Sequence, residues 1–124
     1  MKRKADLRAT RDVLIQLKPW LDGETATKPT RQQLAAAVRG SLYTLAEVAP
    51  GATVEVRVPP FAAIQCVAGP AHTRGTPPNV VETDAQTWLQ LAVGIAQLEG
   101  HAQVSASGTR ALDIAHYLPL FVID

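Results

Sequence analysis

Apolar positions in this chain follow two spacings, helical in some stretches and alternating in others. From Asp6 to Leu21, the residues Leu7, Thr10, Leu14, Leu17 and Leu21 fall on one helical face, with Arg8, Arg11, Asp12 and Lys18 largely outside it. Pro19 has no amide hydrogen to donate, so a break or kink is expected near Lys18. A polar connector, DGETATKP, follows. Thr30 and Gln33 then form a capping-box pattern, and Leu34, Val38, Leu42 and Leu45 make a stripe on a second helix that Pro50-Gly51 ends.

At Ala52 the period drops to two. Val54, Val56 and Val58 alternate with Thr53, Glu55 and Arg57, which predicts a strand buried on one face. After Pro59-Pro60, the run FAAIQCVA from Phe61 to Ala68 is almost continuously apolar and predicts a strand covered on both sides. The next segment, AHTRGTPPN, is rich in Gly, Pro and Thr. It suits a loop or a short edge strand, because Pro77 and Pro78 exclude a central one.

Val80 and Val81 end another short extended run. Thr83 and Asp84 are both competent N-caps for a helix bearing Trp88, Leu91, Ala92 and Ile95, with Gly94 in its last turns. Val104 to Ser107 extends again, Gly108 permits a turn, and Thr109 opens a short helix bearing Leu112, Ile114, Ala115 and Leu118 that Pro119 ends. The order is helix, helix, strand, strand, loop or edge strand, strand, helix, strand, helix. This is an α+β pattern in which short connections favour a largely antiparallel sheet with helices over one face.

The second half resembles the sterol carrier protein domain, most closely its bacterial branch, which includes the small domain appended to some thiol-dependent maleylpyruvate isomerases. The matching residues are Thr83, Asp84, Thr87, Trp88, Leu89, Leu91, Ala92 and Gly94, then Ala106, Ser107, Gly108, Arg110, Tyr117, Leu118, Pro119 and Leu120, preceded by HTRGTPPNVVE at 72–82. The resemblance implies a curved mixed sheet of about five strands covered by helices, with an apolar cavity between the layers. Length fits one such domain over residues 1–124, and charge and periodicity add a basic N-terminal segment and two helices before the sheet. By the same resemblance Trp88, Leu91, Ala92, Ile95, Ile114 and Leu118 are candidates to line that cavity, and Tyr117 to supply one polar tip. By position alone a Trp such as Trp88 is more often core than ligand contact, and Tyr117 is equally an ordinary half-exposed tyrosine.

Composition narrows the function. With 47% hydrophobic and 19% charged residues, the chain can form a packed core and does not match the disordered class. Its net charge of +1 hides a gradient: residues 1–31 hold eight Lys/Arg against four Asp/Glu. A basic N-terminus of this kind suits transient contact with an anionic membrane surface, at about 1 kcal/mol per charge near that surface. Nucleic acid is not expected as a partner, since the overall charge is near zero and no reading motif is present. Cys66 is the single cysteine, which excludes an intrachain disulfide and makes the cytoplasm the expected compartment. Met1-Lys2-Arg3-Lys4 is not read as the start of a signal peptide, because Asp6 and Arg8 stand where such a peptide needs an apolar run.

Candidate chemistry is sparse. His72, His101 and His116 do not stand at metal-ligand spacing with one another or with Cys66, and there is no P-loop, G-x-S-x-G or G-x-G-x-x-G, so neither metal nor cofactor is expected. The donors His72, Arg74 and Asn79 in the glycine-containing loop form a secondary polar site for a phosphate or carboxylate, against the plainer reading that they satisfy turn backbone and solvent. The expected function is non-enzymatic binding or transfer of a lipid-like apolar ligand: fatty acyl, phospholipid or sterol-like. The alternatives are a protein-interaction or dimerisation module with a filled core, and an accessory domain for a thiol-dependent isomerase. Oligomeric state is not legible.

Overall fold

The computed structural model describes residues 4–69 and 78–123. Helix α1, Leu7–Leu21, is capped by the Asp6 carboxylate, which accepts the Ala9 N–H at 3.0 Å. It runs unbroken past Pro19. Leu17 and Leu21 are both buried around that residue, so the packed face holds the last turn together despite the missing donor. Leu7 is the exception on the expected stripe, at 59% exposure. Helix α2, Arg31–Val48, begins with the predicted capping box: Thr30 Oγ1 accepts the Gln33 N–H at 3.1 Å while Gln33 Oε1 accepts the Thr30 N–H at 2.9 Å.

The sheet comprises β1 (Val54–Val58), β2 (Ala62–Cys66), β3 (Asn79–Glu82) and β4 (Ser105–Ser107), in the order β2-β1-β3-β4. Strands β1 and β2 form an antiparallel hairpin, β3 lies parallel to β1, and β4 is antiparallel to β3. Among the described residues there are four strands, not about five. The expected additional edge strand falls on residues 70–77, outside the described residues. Expected curvature is absent as well: the sheet is open and does not curl, in keeping with strands of only three to five residues.

Register explains which face is dry. Val54 pairs with Cys66 and Asn79, and Val56 with Ile64 and Val81, so these side chains share the face toward the helices. Glu55, Gln65 and Val80 share the other face, as do Arg57, Ala63 and Glu82. Among the described residues that second face is open at β2, and this overturns the expectation that β2 is covered on both sides: Ala63 and Gln65 are exposed. An apolar run does not reveal how many layers cover it. Here one residue in two is alanine or glutamine pointing to solvent.

Helix α3, Ala85–Ala92, is capped by Asp84, whose carboxylate accepts both the Thr87 N–H at 2.8 Å and the Thr87 hydroxyl at 3.0 Å. It ends before Ile95. Gly94 takes φ +84°, its N–H bonds to Leu91 O, and the Ile95 N–H bonds to Gln90 O at 2.9 Å, which is the paired-bond stop that a left-handed residue makes at a helix end. Ile95 is therefore thrown clear of the stripe and is 43% exposed.

The last helix, Ala111–Tyr117, is a 3-10 helix whose cap is Arg110 and not Thr109. Its three-residue turn puts Ala111, Ile114 and Tyr117 on one side. Ala111 and Ile114 are buried there, whereas Leu112 is 42% exposed. Beyond it the chain crosses the end of α3, where the Leu120 and Phe121 N–H groups both donate to Ala92 O at 2.8 and 3.1 Å.

Candidate functional site

The space between helices and sheet is occupied by side chains. Trp88, Ala92 and Ile114 are fully buried and Leu91 nearly so. A side chain bordering a water-sized void keeps some accessible surface, so these residues are packed core. Trp88 even has its polar atom satisfied, with Nε1–H donating to Ser41 Oγ at 2.8 Å. Tyr117 is half-buried against the same core. Of the predicted cavity residues, Leu91 and Leu118 line an opening among the described residues. This is a cleft of about 330 Å³ at the end of α3, bounded also by Gly94, Ala96, Leu98 and Pro119.

A larger opening lies elsewhere. The groove between α2 and β2 has a volume of about 970 Å³. One wall is the α2 flank bearing Arg39, Tyr43, Ala46 and Glu47; the other comes from Phe61 through Gln65, with Pro50 and Gly51 closing the end. The helix places these residues because 39, 43, 46 and 47 repeat at i, i+4, i+7 and i+8, alongside the core stripe of Val38, Leu42 and Leu45. The strand contributes Ala62 and Ile64 from its helix-facing side and Ala63 and Gln65 from the other, as expected of residues lining the rim of an edge strand. The spacing of this second α2 stripe is present in the sequence, but the deeper apolar stripe beside it already satisfies the helix pattern and hides it.

Charge is confined to the two ends of the groove. Arg39 Nε–H donates to the Phe61 carbonyl at 3.2 Å, and the Arg31 guanidinium lies 5.5 Å from the Phe61 ring centroid. At the far end the Glu47 carboxylate accepts the Ala5 N–H. The rest of the strand and helix lining is Tyr43, Ala46, Ala62, Ala63, Ile64 and Gln65.

The polar loop divides. His72 and Arg74 lie outside the described residues. Asn79 is 4% exposed and wholly engaged: its Nδ2–H donates to Thr53 O at 2.9 Å, and its Oδ1 accepts the Arg110 N–H at 2.8 Å. It ties the start of β3 to the residue just before β1 and to the cap of the 3-10 helix. Arg110 completes the junction through Asp113 at 2.7 Å and the Ala68 carbonyl at 3.2 Å. Asn79 thus serves as a structural lock between these segments.

Cys66 is buried on the helix-facing side of β2, and burial pushes its thiol from 9.0 up to about 12. It should remain unreactive toward a thiol reagent at pH 8 until denaturant is added, which an absorbance assay for thiol release will show. Because the unfolded thiol ionises first, the unfolded chain binds fewer protons between about pH 9 and 12. The contribution of this group to stability therefore falls as pH rises through that window. Among the described residues no group of three His, Cys, Asp or Glu could hold a metal ion, and no helix is long and apolar enough to cross a membrane.

No curated protein matches the chain. A family model does: the one described as "Bacterial SCP ortholog" matches residues 30–120, taking in α2, the whole described sheet, α3 and the 3-10 helix. The match extends the likeness of the second half back through β1, β2 and the groove-forming helix, and over so much of its length the chain belongs to the bacterial sterol carrier protein-like family.

Proposed function

We propose that the protein binds and carries a lipid-like apolar ligand without transforming it, and that the ligand lies in the α2–β2 groove instead of between the packed layers. The groove carries this reading. Its volume of about 970 Å³ falls in the range of about 300–1,000 Å³ usual for small-molecule sites, and its lining sets the apolar Ala46, Phe61, Ala62 and Ile64 among Arg39, Tyr43, Glu47 and Gln65. Membership of a sterol carrier protein-like family supports the ligand class. Exposed Lys4, Arg8 and Arg11 give the N-terminal side a basic character suited to brief contact with an anionic membrane during loading.

Native mass spectrometry of protein purified from cells is expected to show a retained lipid-sized mass. In a thermal scan, saturating amphiphile should raise Tm by several degrees, as any ligand preferring the folded state must. Ala46→Trp, which fills the groove from its helical wall, should abolish that shift. Ile95→Asp should leave it intact, since Ile95 borders neither opening.

The filled core favours one other reading, an interaction module that works through its surface. No retained mass, and no thermal shift with fatty acids, lysophospholipids or sterols, would leave that reading in place of the carrier.

A further inference from the structure

We infer that the α2–β2 groove selects a single-chain amphiphile with an anionic headgroup, carboxylate or phosphate, and that Arg39 is the residue that reads the headgroup. The inference rests on the carrier reading above and adds to it the ligand's charge and orientation.

Arg39 is tethered at one nitrogen only. Its Nε–H is held by the Phe61 carbonyl, and among the described residues no carboxylate lies within ion-pair distance of its guanidinium. The two terminal nitrogens remain as a planar fork, the geometry that grips a carboxylate or phosphate through two parallel hydrogen bonds. Fixing Nε also restricts the side chain beforehand, so less rotamer freedom is lost when an anion arrives. Arg31, against the Phe61 ring, brings a second positive charge to the same end and has no carboxylate partner among the described residues.

The opposite end has the opposite sign. Glu47 follows Arg39 by eight residues on α2, about 12 Å along the helix axis, with the apolar wall between them. An anionic head is drawn to the Arg39 end and repelled from the Glu47 end, so the ligand enters in one direction with its tail against Tyr43, Ala46 and Ile64. A neutral chain of equal length would bury the same apolar surface and forgo both effects.

Isothermal titration calorimetry at pH 8 and low salt tests this with decanoate, decyl phosphate, 1-decanol and inorganic phosphate. Decanoate or decyl phosphate is expected to bind at least about tenfold more tightly than decanol, as befits a charge-assisted hydrogen-bonded pair. Inorganic phosphate alone should give no measurable heat of binding. Arg39→Gln should reduce the anionic amphiphiles to the affinity of decanol and leave decanol unchanged, with circular dichroism and Tm confirming the fold. Arg39→Lys, which keeps the charge but not the fork, should fall between. Equal affinity for decanoate and decanol in the unmutated protein, or an unchanged ratio in Arg39→Gln, overturns the headgroup assignment while the carrier reading stands. Binding of inorganic phosphate as tight as decyl phosphate also overturns it, since the groove would then be an anion site indifferent to the chain. If none of the four binds, the headgroup assignment fails, and the carrier reading is decided separately by the retained mass and the thermal shifts with longer chains and sterols.

Discussion

Trp88→Ala is expected to destabilise the protein by about 3–5 kcal/mol, the cost of emptying a large aromatic site in a core that relaxes only partly. Trp88 heads the fully buried side chains and stands where α3 meets α2. Its indole also belongs to a short polar chain: Nε1–H donates to Ser41 Oγ at 2.8 Å, and the Ser41 hydroxyl donates to Ala37 O at 2.7 Å. Ser41→Ala should therefore cost about 1–3 kcal/mol on its own by leaving the buried indole N–H without an acceptor. In a double-mutant cycle the two losses should not add, because the second substitution removes a bond the first has already broken. Urea unfolding measures all three. A cost for Trp88→Ala below about 1 kcal/mol would mean that the space around it is open, and would return the ligand to the layer between helices and sheet.

Asn79→Ala should cost about 2–4 kcal/mol, because two effects meet at this one side chain. Removing the amide leaves the Thr53 carbonyl and the Arg110 N–H without their partner, and each orphaned group of this kind costs about 1–3 kcal/mol when water cannot replace it. Space is tight as well. Gly108 holds φ +97°, and a Cβ there would lie 2.3 Å from Asn79 Oδ1, so the turn is shaped around the amide. Asn79→Asp keeps the acceptor but turns a carboxylate oxygen toward the Thr53 carbonyl, and is expected to destabilise at least as much. Were Asn79 a ligand group, its substitution would leave unfolding unchanged and weaken binding. Denaturant midpoints together with calorimetric affinity distinguish the two roles.

Local chemistry makes much of the fold legible. Thr30 with Gln33 and Asp84 with Thr87 announce their helix starts through side chain and backbone groups three residues apart. Alternation at Val54, Val56 and Val58 identifies the central strand, since a period of two needs no knowledge of its neighbours. Sequence pattern misleads where it allows two geometries. Ile95 continues an α-helical stripe, but Gly94 at positive φ stops the helix first. In the final helix Ile114 is buried and Leu112 is exposed, because the three-residue turn puts Ala111, Ile114 and Tyr117 on one side.

The candidate site is the least legible part, and for a definite reason. Apolar residues at helical spacing are the same whether they face a packed core or a cavity; the difference lies in how much volume the opposing elements leave. The chain by itself determined its family, its α+β class and the starts of α2 and α3, through order, period and capping. Only the tertiary structure decided that Trp88, Ala92 and Ile114 are packed solid, that Asn79 is a lock, and that the open groove runs between α2 and the edge of β2. Those outcomes depend on distances between segments far apart in the chain, such as Arg39 to Phe61 and Asn79 to Arg110, which no local pattern encodes.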